Sequence, residues 1–259
     1  MKLTTNEIHL WFVEDETLTD PDVLERYRQM LTREEREQQQ RFHFAKDRHQ
    51  YLVVRAALRS ILSQYDPQVA PGQWRFDKNH YGKPFIRDNR LELSFNLSHA
   101  EKMIVIAITR GQELGVDVEY INRGGRLISM ARSFFSPSEV EQFFALPEAE
   151  RKNRFFDLWT FKEAYIKACG KGLSIALEDF SYLFSGADDT RVELVPEVHE
   201  QDQPWHIWQL LPGELHKVAL ATKGQQLNES CTFVQHKIMP SGDFHPVDLP
   251  IRHKGVLPR

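Results

Sequence analysis

Apolar residues recur along this chain with two different periods, and these predict strands and helices in alternation. Residues 7–13 alternate between apolar and polar, and residues 103–108 are continuously apolar, as in β-strands. Between residues 51 and 65 the apolar side chains instead recur every three or four positions, which predicts a helix that ends before Pro67. A second long helix is predicted over residues 151–168, closed by Gly170 and Gly172.

The order strand, helix, strands occurs twice, with a break near residues 110–112. Short strands are predicted at 74–76, 84–86, 91–95, 102–109 and 114–121, and again at 180–184, 205–210 and 217–221. Thr32 and Ser136 are predicted N-caps of further helices. The predicted fold class is α+β, with an internal duplication and two similar α/β halves at residues 1–111 and 112–259. The tail beyond residue 227 shows no usable pattern, and we expect residues 251–259 to be disordered.

Composition narrows the class of protein. The chain is 41% hydrophobic and 27% charged, as in soluble globular proteins, and its net charge of −4 argues against a general nucleic-acid binder. We expect no membrane partner, because there is no signal-peptide pattern and no run of the ~20 apolar residues that a membrane span needs. Cys169 and Cys231 form no motif. They predict neither a disulfide framework nor a zinc site, and they favour a reducing, cytoplasmic location.

Two carboxylates lie on one face of the strand predicted at 114–121. Because side chains alternate along a strand, Asp117 and Glu119 point the same way while Val116 and Val118 point the other way. Like charges this close favour a cation or a proton between them, and hard oxygen ligands suit Mg²⁺. The alternative interpretation is a half-exposed strand with two solvated acids.

The second long helix carries another charged pair. Glu163 and Lys167 are four residues apart, so both project from one face. A surface ion pair of this kind is common and contributes little. The helix is rich in aromatic residues, however, and we therefore expect it to be largely buried, where a charge pair needs a reason. A third metal carboxylate from Glu163, with Lys167 near a phosphate, would supply that reason.

Polar and basic residues elsewhere are candidates for binding phosphate. They are Lys83 between Gly82 and Pro84, Ser98 and His99 at a strand end, and the helical arginines Arg48, Arg55 and Arg59. Each has a structural alternative: a turn, a strand end, or arginines that extend off a helix into solvent. No nucleophile motif, Walker loop or dinucleotide fingerprint is present. Three acids with lysines, a histidine and arginines indicate a phosphoryl-type transfer between two external substrates.

Four segments, in this order, resemble the 4′-phosphopantetheinyl transferases of the Sfp type. They are Gly82-Lys83-Pro84, Phe95-Asn96-Leu97-Ser98-His99, Gly115-Val116-Asp117-Val118-Glu119, and Trp159-x-x-Lys162-Glu163-Ala164-x-x-Lys167-x-x-Gly170-x-Gly172-Leu173. The resemblance spans roughly residues 41–183. It implies a monomer of two halves related by pseudo-two-fold symmetry, with coenzyme A between them and an apo acyl or peptidyl carrier protein as the acceptor.

The resemblance also implies roles for the candidate residues. Asp117, Glu119 and Glu163 would hold Mg²⁺ against the pyrophosphate, Glu163 and Lys167 would be catalytic, and Arg48, Arg55, Lys83, Ser98 and His99 would bind coenzyme A. Two departures concern Ala100, where many relatives carry serine, and Glu35 and Gln38, where some carry paired lysines. Arg33, Arg36 or Arg41 are candidates to replace those lysines.

Two other functions remain open from the residues. One is a different metal-dependent phosphotransferase or nucleotidyl hydrolase, and the other is a non-catalytic module that binds coenzyme A. Because carrier proteins are generally acidic, a basic segment becomes a candidate docking surface, and it comprises Arg123, Arg126 and Arg132 with Ile128 and Met130. The sequence does not indicate which fatty-acid, polyketide or nonribosomal peptide synthase is served.

Overall fold

The structure is a computed structural model, and it describes residues 1–185, 191–196, 205–223 and 231–256. The helices in these residues are α1 (Pro21–Met30), α2 (Arg33–Arg41), α3 (Ala45–Tyr65), α4 (Leu127–Phe134), α5 (Pro137–Ala145) and α6 (Glu148–Cys169). The strands are β1 (Glu7–Glu14), β2 (Phe76–Lys78), β3 (Pro84–Ile86), β4 (Leu93–Ala100), β5 (Met103–Arg110), β6 (Glu113–Tyr120), β7 (Phe180–Ser185), β8 (Arg191–Pro196), β9 (Trp205–Leu210), β10 (His216–Lys223), β11 (Thr232–Ile238), β12 (Phe244–Val247) and β13 (Ile251–Val256).

Local sequence signals set several of the helix ends. The Thr32 hydroxyl accepts a hydrogen bond from the backbone N–H of Glu35 and begins α2, and Ser136 begins α5 in the same way with Glu139. Helix α6 ends at Gly170, which adopts a left-handed conformation with φ of 65°. These ends confirm the sequence predictions. Helix α4 was not predicted, and its first turn has no side-chain cap.

The strands form two large sheets and one small hairpin. The first sheet has the order β12-β11-β1-β5-β4, the second has the order β6-β10-β9-β13-β8-β7, and β2 pairs with β3. In the first sheet β1 is antiparallel to β5, which is antiparallel to β4, and α3 follows β1 along the chain. In the second sheet β6 is antiparallel to β10, which is antiparallel to β9, and α6 follows β6. The same unit of strand, long helix and two strands therefore occurs twice.

Helices and sheets pack in four layers: α3, the first sheet, the second sheet and α6. Ile8, Leu10 and Phe12 of β1 pack in one cluster with Val116 and Val118 of β6, so the two sheets share a core. The alternate residues of the first sheet pack with α3, and those of the second pack with α6. The polar face of β6 therefore points towards α6.

The C-terminal part of the chain differs from the sequence prediction. Strand β11 pairs in parallel with β1, and β12 pairs with β11, so both belong to the first sheet although they lie within residues 112–259. Strand β13 pairs antiparallel with β9. The expectation of disorder is therefore wrong for residues 251–256, and residues 257–259 lie outside the described residues. Among the described residues, no helix has the length and apolar character needed to cross a membrane.

Candidate active site

Close contact between β6 and α6 brings the candidate acids and lysine together. A Cβ atom on Gly115 would lie 2.0 Å from the carbonyl oxygen of Ala164, so only glycine allows the helix to approach the strand this closely. Asp117 is two residues further along the same face of β6. On α6, Glu163 is next to Ala164 and Lys167 is one turn further on. Lys167 Nζ lies 2.7 Å from Asp117 Oδ1, and the charge of Asp117 raises the pKa of Glu163, so both side chains are near the acidic face of the strand.

Asp117 is the centre of a hydrogen-bonded group from three elements. Its Oδ1 accepts from Lys167 Nζ at 2.7 Å and from Ser98 Oγ at 2.9 Å, while Lys167 Nζ also donates to Ser98 Oγ at 2.8 Å. Ser98 lies on β4, which Asn96 ties to β6 by accepting from the backbone N–H of Val116 at 2.9 Å. The predicted residues Ser98, Asp117 and Lys167 are thus in direct contact.

The carboxylates carry more negative charge than their neighbours balance. Burial and the charge of Asp117 raise the pKa of Glu119 to about 7, although Arg123 Nη1 lies 2.9 Å from Glu119 Oε2 and opposes the shift. Burial and Asp117 also raise the pKa of Glu163, against the opposing charge of Lys167. The Oδ2 atom of Asp117 is buried and has no hydrogen-bond partner. A cation placed among these groups would relieve both the repulsion and the unpaired oxygen.

The acids do not form a ready-made metal site. Across the part of the chain that the structure describes, no three His, Cys, Asp or Glu side chains are grouped closely enough to hold a metal ion as they stand. The ammonium of Lys167 lies against Asp117 instead. The predicted Mg²⁺ therefore stays a prediction, favoured by the donor set and by the unpaired Oδ2 of Asp117.

Two adjoining cavities meet at Lys167. The larger has a volume of about 610 Å³ and includes Glu163 in its wall, and the smaller, of about 430 Å³, includes Asp117 and Glu119. Leu97, His99 and Lys167 line both. The rest of the larger cavity is formed by Phe42, Asp47, Gln50, Tyr51, Val54, Arg55, Tyr81, Gly82, Lys83, Pro84, Asn96, Ile166, Gly170 and Gly172. A long ligand in the larger cavity can thus reach the acids through the junction at Lys167.

Three of the predicted coenzyme A-binding residues line the larger cavity. Lys83 Nζ donates to backbone carbonyls of the second half. Arg55 Nε lies 3.0 Å from Glu35 Oε1, which holds its guanidinium at the cavity wall. His99 is exposed at the junction, where partial enclosure and then the charge of Lys167 lower its pKa. An imidazole there is neutral near pH 7 and can donate or accept a hydrogen bond.

Arg48 does not line either of these two cavities. Its Nη1 donates to the backbone carbonyls of Phe42 and His43, and its side chain lines a separate cavity beside Arg36. The structure therefore gives no support to its predicted contact with coenzyme A, because its guanidinium instead holds the segment that leads into α3.

Arg59 has a structural role, and so does Glu35. Arg59 is only 2% exposed and bonds Glu35 and the carbonyls of Pro71 and Trp74, which excludes the expectation that it extends into solvent. Glu35 is paired with both Arg55 and Arg59. Glu35 and these two arginines thus form a charge network that links α2 to α3.

The candidate docking residues border the smaller cavity and α4. Arg123 lines that cavity, and Ile128 on α4 is 46% exposed. Sequence reasoning missed Phe134, which is 40% exposed and packs edge-on against Trp159. It also missed Asn96, although the alternation of residues 95–99 could have placed this residue on the same face as Ser98. Because α4 was not predicted, no sequence signal indicated that Phe134 would be exposed beside the site.

A helix lying close against an acidic strand, beside a large cavity, does not by itself define one activity, and comparison with known proteins identifies the family. The 4′-phosphopantetheinyl transferase superfamily matches residues 113–222, and the N-terminal region of 4′-phosphopantetheinyl transferases matches residues 20–110. The chain belongs to the 4′-phosphopantetheinyl transferase superfamily.

Individual relatives cover most of the chain. It is 33% identical to the 4′-phosphopantetheinyl transferase HetI of Nostoc sp., over 86% of this chain and 91% of that protein. It is 32% identical to the 4′-phosphopantetheinyl transferase Sfp of Bacillus subtilis, over 82% of this chain and 91% of that protein. The resemblance to the Sfp type is thereby confirmed. A solved holo-[acyl-carrier-protein] synthase of Thermotoga maritima aligns with a TM-score of 0.35 at 23% identity, over 43% of this chain and 62% of that chain, which is too weak to carry an argument.

Proposed function

We propose that the protein transfers the 4′-phosphopantetheine group of coenzyme A to a serine of an apo acyl or peptidyl carrier protein, releasing 3′,5′-ADP. The observation that carries this proposal, within the family, is the group formed by Ser98, Asp117 and Lys167 where the two cavities meet. The larger cavity has room for the nucleotide, and the smaller one opens the acids to a second substrate. The repeated unit of strand, helix and two strands supports a duplicated origin for the cleft.

The donor set favours a divalent metal ion as cofactor. Asp117, Glu119 and Glu163 would hold Mg²⁺, and the unpaired Oδ2 of Asp117 is the first oxygen available to it. When bound, the ion would neutralise charge on the diphosphate of coenzyme A. Lys167 would then be released from Asp117 to hold a diphosphate oxygen, since a lysine ammonium is a flexible point charge.

The residues of the chain account for the proton and the leaving group. A bond forms between the carrier serine oxygen and the phosphorus attached to pantetheine, and the bond from that phosphorus to 3′,5′-ADP breaks. The raised pKa of Glu163 makes its carboxylate a better acceptor for the serine proton near neutral pH. Lys167 would hold or protonate the departing phosphate oxygen.

The test is a carrier-modification assay read by intact mass, in which transfer adds about 340 Da. Asp117→Ala and Glu163→Gln should each lower the rate roughly 10²–10³-fold, the effect of losing a key electrostatic group. Glu141→Gln, on the exposed face of α5, is the matched control and should act like the wild type. Full activity in either site variant would discard these roles, and hydrolysis of coenzyme A without a carrier would favour the nucleotidyl hydrolase instead.

The carrier protein is proposed to dock beside α4. Arg123 lies at the mouth of the smaller cavity, and Ile128 and Phe134 are exposed apolar side chains of the adjacent helix. Acidic carriers would meet a basic and apolar surface there. Reversing the charges with Arg126→Glu and Arg132→Glu should raise the KM for the carrier and leave the KM for coenzyme A unchanged. An unchanged KM for the carrier would remove this surface from the proposal.

A further inference from the structure

The loop of residues 79–83 between β2 and β3 reaches from the first half of the chain to the second. Lys83 Nζ donates to the carbonyl oxygens of Leu114 at 3.0 Å and Ala168 at 2.8 Å. Asn79 Nδ2 donates to the carbonyl oxygen of Gly170 at 2.7 Å. Two side chains of this loop therefore hold three backbone carbonyls at the start of β6 and at the end of α6.

The carbonyls of Ala168 and Gly170 need hydrogen-bond donors from outside α6. The last carbonyls of a helix have no intrahelical donor, and the negative end of the helix dipole favours a cation. Lys83 supplies the donor and the cation to Ala168, and Asn79 supplies a donor to Gly170. A Cβ on Gly170 would lie 2.8 Å from Lys83 Cδ, so glycine at this position also leaves room for the lysine stem.

The same contacts fix one wall of the larger cavity. Asn79 Oδ1 accepts from the backbone N–H groups of Tyr81 at 3.0 Å and Lys83 at 2.9 Å, and Gly82 adopts φ of 92° between them. Tyr81, Gly82 and Lys83 all line the cavity. Because α6 also carries Lys167, the loop connects this wall to the helix that bears the catalytic side chains.

We propose that Lys83 and Asn79 form a latch that positions coenzyme A by holding this loop against the end of α6, and that Lys83 is not a ligand of the 3′-phosphate of coenzyme A. Two of the three ammonium protons of Lys83 are already donated to carbonyls. Moving the ammonium to a phosphate would leave Ala168 and Leu114 without these donors. This inference rests on the proposed transferase function and replaces the sequence prediction that Lys83 contacts the nucleotide as a cation.

The experiment compares Lys83→Met and Asn79→Ala with coenzyme A and with dephospho-coenzyme A, which lacks the 3′-phosphate. For a latch, both variants should raise the KM for coenzyme A about tenfold, the effect of losing one or two hydrogen bonds that position a substrate. The factor should be the same for dephospho-coenzyme A, measured as its inhibition constant if its turnover is slow. The kcat and the KM for the carrier should stay within about twofold of the wild type. Lys78→Met, an exposed lysine just before the loop, is the matched control.

Two results would overturn the latch. If the Lys83→Met defect disappears with dephospho-coenzyme A while Asn79→Ala behaves like the wild type, Lys83 is a phosphate ligand and the latch is wrong. Amide hydrogen exchange of the unliganded protein gives a second readout that does not need activity. The N–H groups of Tyr81 and Lys83 should exchange faster in both variants, and unchanged exchange would also overturn the latch. If the wild-type protein has no transferase activity, the proposed function is wrong. The hydrogen-exchange result then still decides whether Lys83 and Asn79 hold the loop.

Discussion

Gly115 is where the backbone of α6 comes closest to β6, and an added methyl group there tests how the site is assembled. In Gly115→Ala the new Cβ would lie 2.0 Å from the carbonyl oxygen of Ala164 and 2.3 Å from the backbone nitrogen of Ala168. Ordinary contact begins at 3.4 Å, so the first distance is short by about 1.4 Å. Both neighbouring atoms belong to helix backbone, and rotation of a side chain therefore cannot relieve the clash.

In Gly115→Ala, α6 must move away from β6, and this movement lengthens the contact between Lys167 and Asp117. Lys167 Nζ lies 2.7 Å from Asp117 Oδ1, and a shift of about 1 Å would carry this pair beyond hydrogen-bonding distance. Misplacing catalytic groups by about 1 Å can cost on the order of 100-fold in rate. Overpacking of a core costs about 1–3 kcal/mol, which should lower the Tm by several degrees in a chain of this size.

We therefore expect Gly115→Ala to stay folded and to lose about 100-fold in kcat/KM for carrier modification. Circular dichroism would follow the Tm, and intact mass of the carrier would follow the rate. Gly213→Ala is the matched control, because a Cβ there meets nothing within 4 Å. Activity within twofold of the wild type, with an unchanged Tm, would show that close approach of α6 does not build the site.

Three further predictions concern buried ionisable groups, and each is measured by urea unfolding. Burial lowers the pKa of His9 from 6.5 to about 4, so its contribution to stability is present above pH 6.5 and is lost as the pH falls towards 4. Between pH 7 and pH 4.5, the free energy of unfolding of His9→Gln should therefore fall by roughly 2 kcal/mol less than that of the wild type. Equal losses in the two proteins would contradict this. Glu35→Ala leaves the buried guanidinium of Arg59 without its carboxylate and should lower the free energy of unfolding by about 3 kcal/mol. A loss below about 1 kcal/mol would mean that the carbonyl contacts of Arg59 are enough to stabilise its buried charge. Lys162→Met leaves the buried carboxylate of Glu139 without its cation, at a cost of about 3–5 kcal/mol. Adding Glu139→Leu should restore part of that loss, and strictly additive costs would refute the coupling between the two residues.

Local signals made much of the site predictable. The alternation in residues 114–121 placed Asp117 and Glu119 on one face, and the four-residue spacing placed Glu163 and Lys167 together on a helix. These rules act within a single element, and the structure follows them. The repeated order of a strand, a long helix and further strands was also visible in the sequence, and the structure shows this order twice.

Contacts between distant segments could not be predicted in the same way. The pairing of β11 with β1 joins two strands that are far apart along the chain, and nothing in residues 232–238 indicates which sheet edge they will join. Arg48, Arg55 and Arg59 share one helix face by their spacing, yet the structure gives them different partners. Arg48 donates hydrogen bonds to loop carbonyls, whereas Arg55 and Arg59 form ion pairs with Glu35. These partners lie on other segments, which the helical period of α3 does not address.

The position of the site follows from how the two sheets meet. β4 and β6 are edge strands of different sheets, and an open edge presents backbone groups that need partners. Asn96 satisfies one of them by accepting from the N–H of Val116, and this side-chain bond sets the position of β4 along β6. Ser98 is two residues further on the same face, so the position that suits Asn96 also delivers the hydroxyl to Asp117. The bond that joins the sheets therefore also aligns the candidate catalytic groups, which places the site at the junction of the two halves rather than within either one.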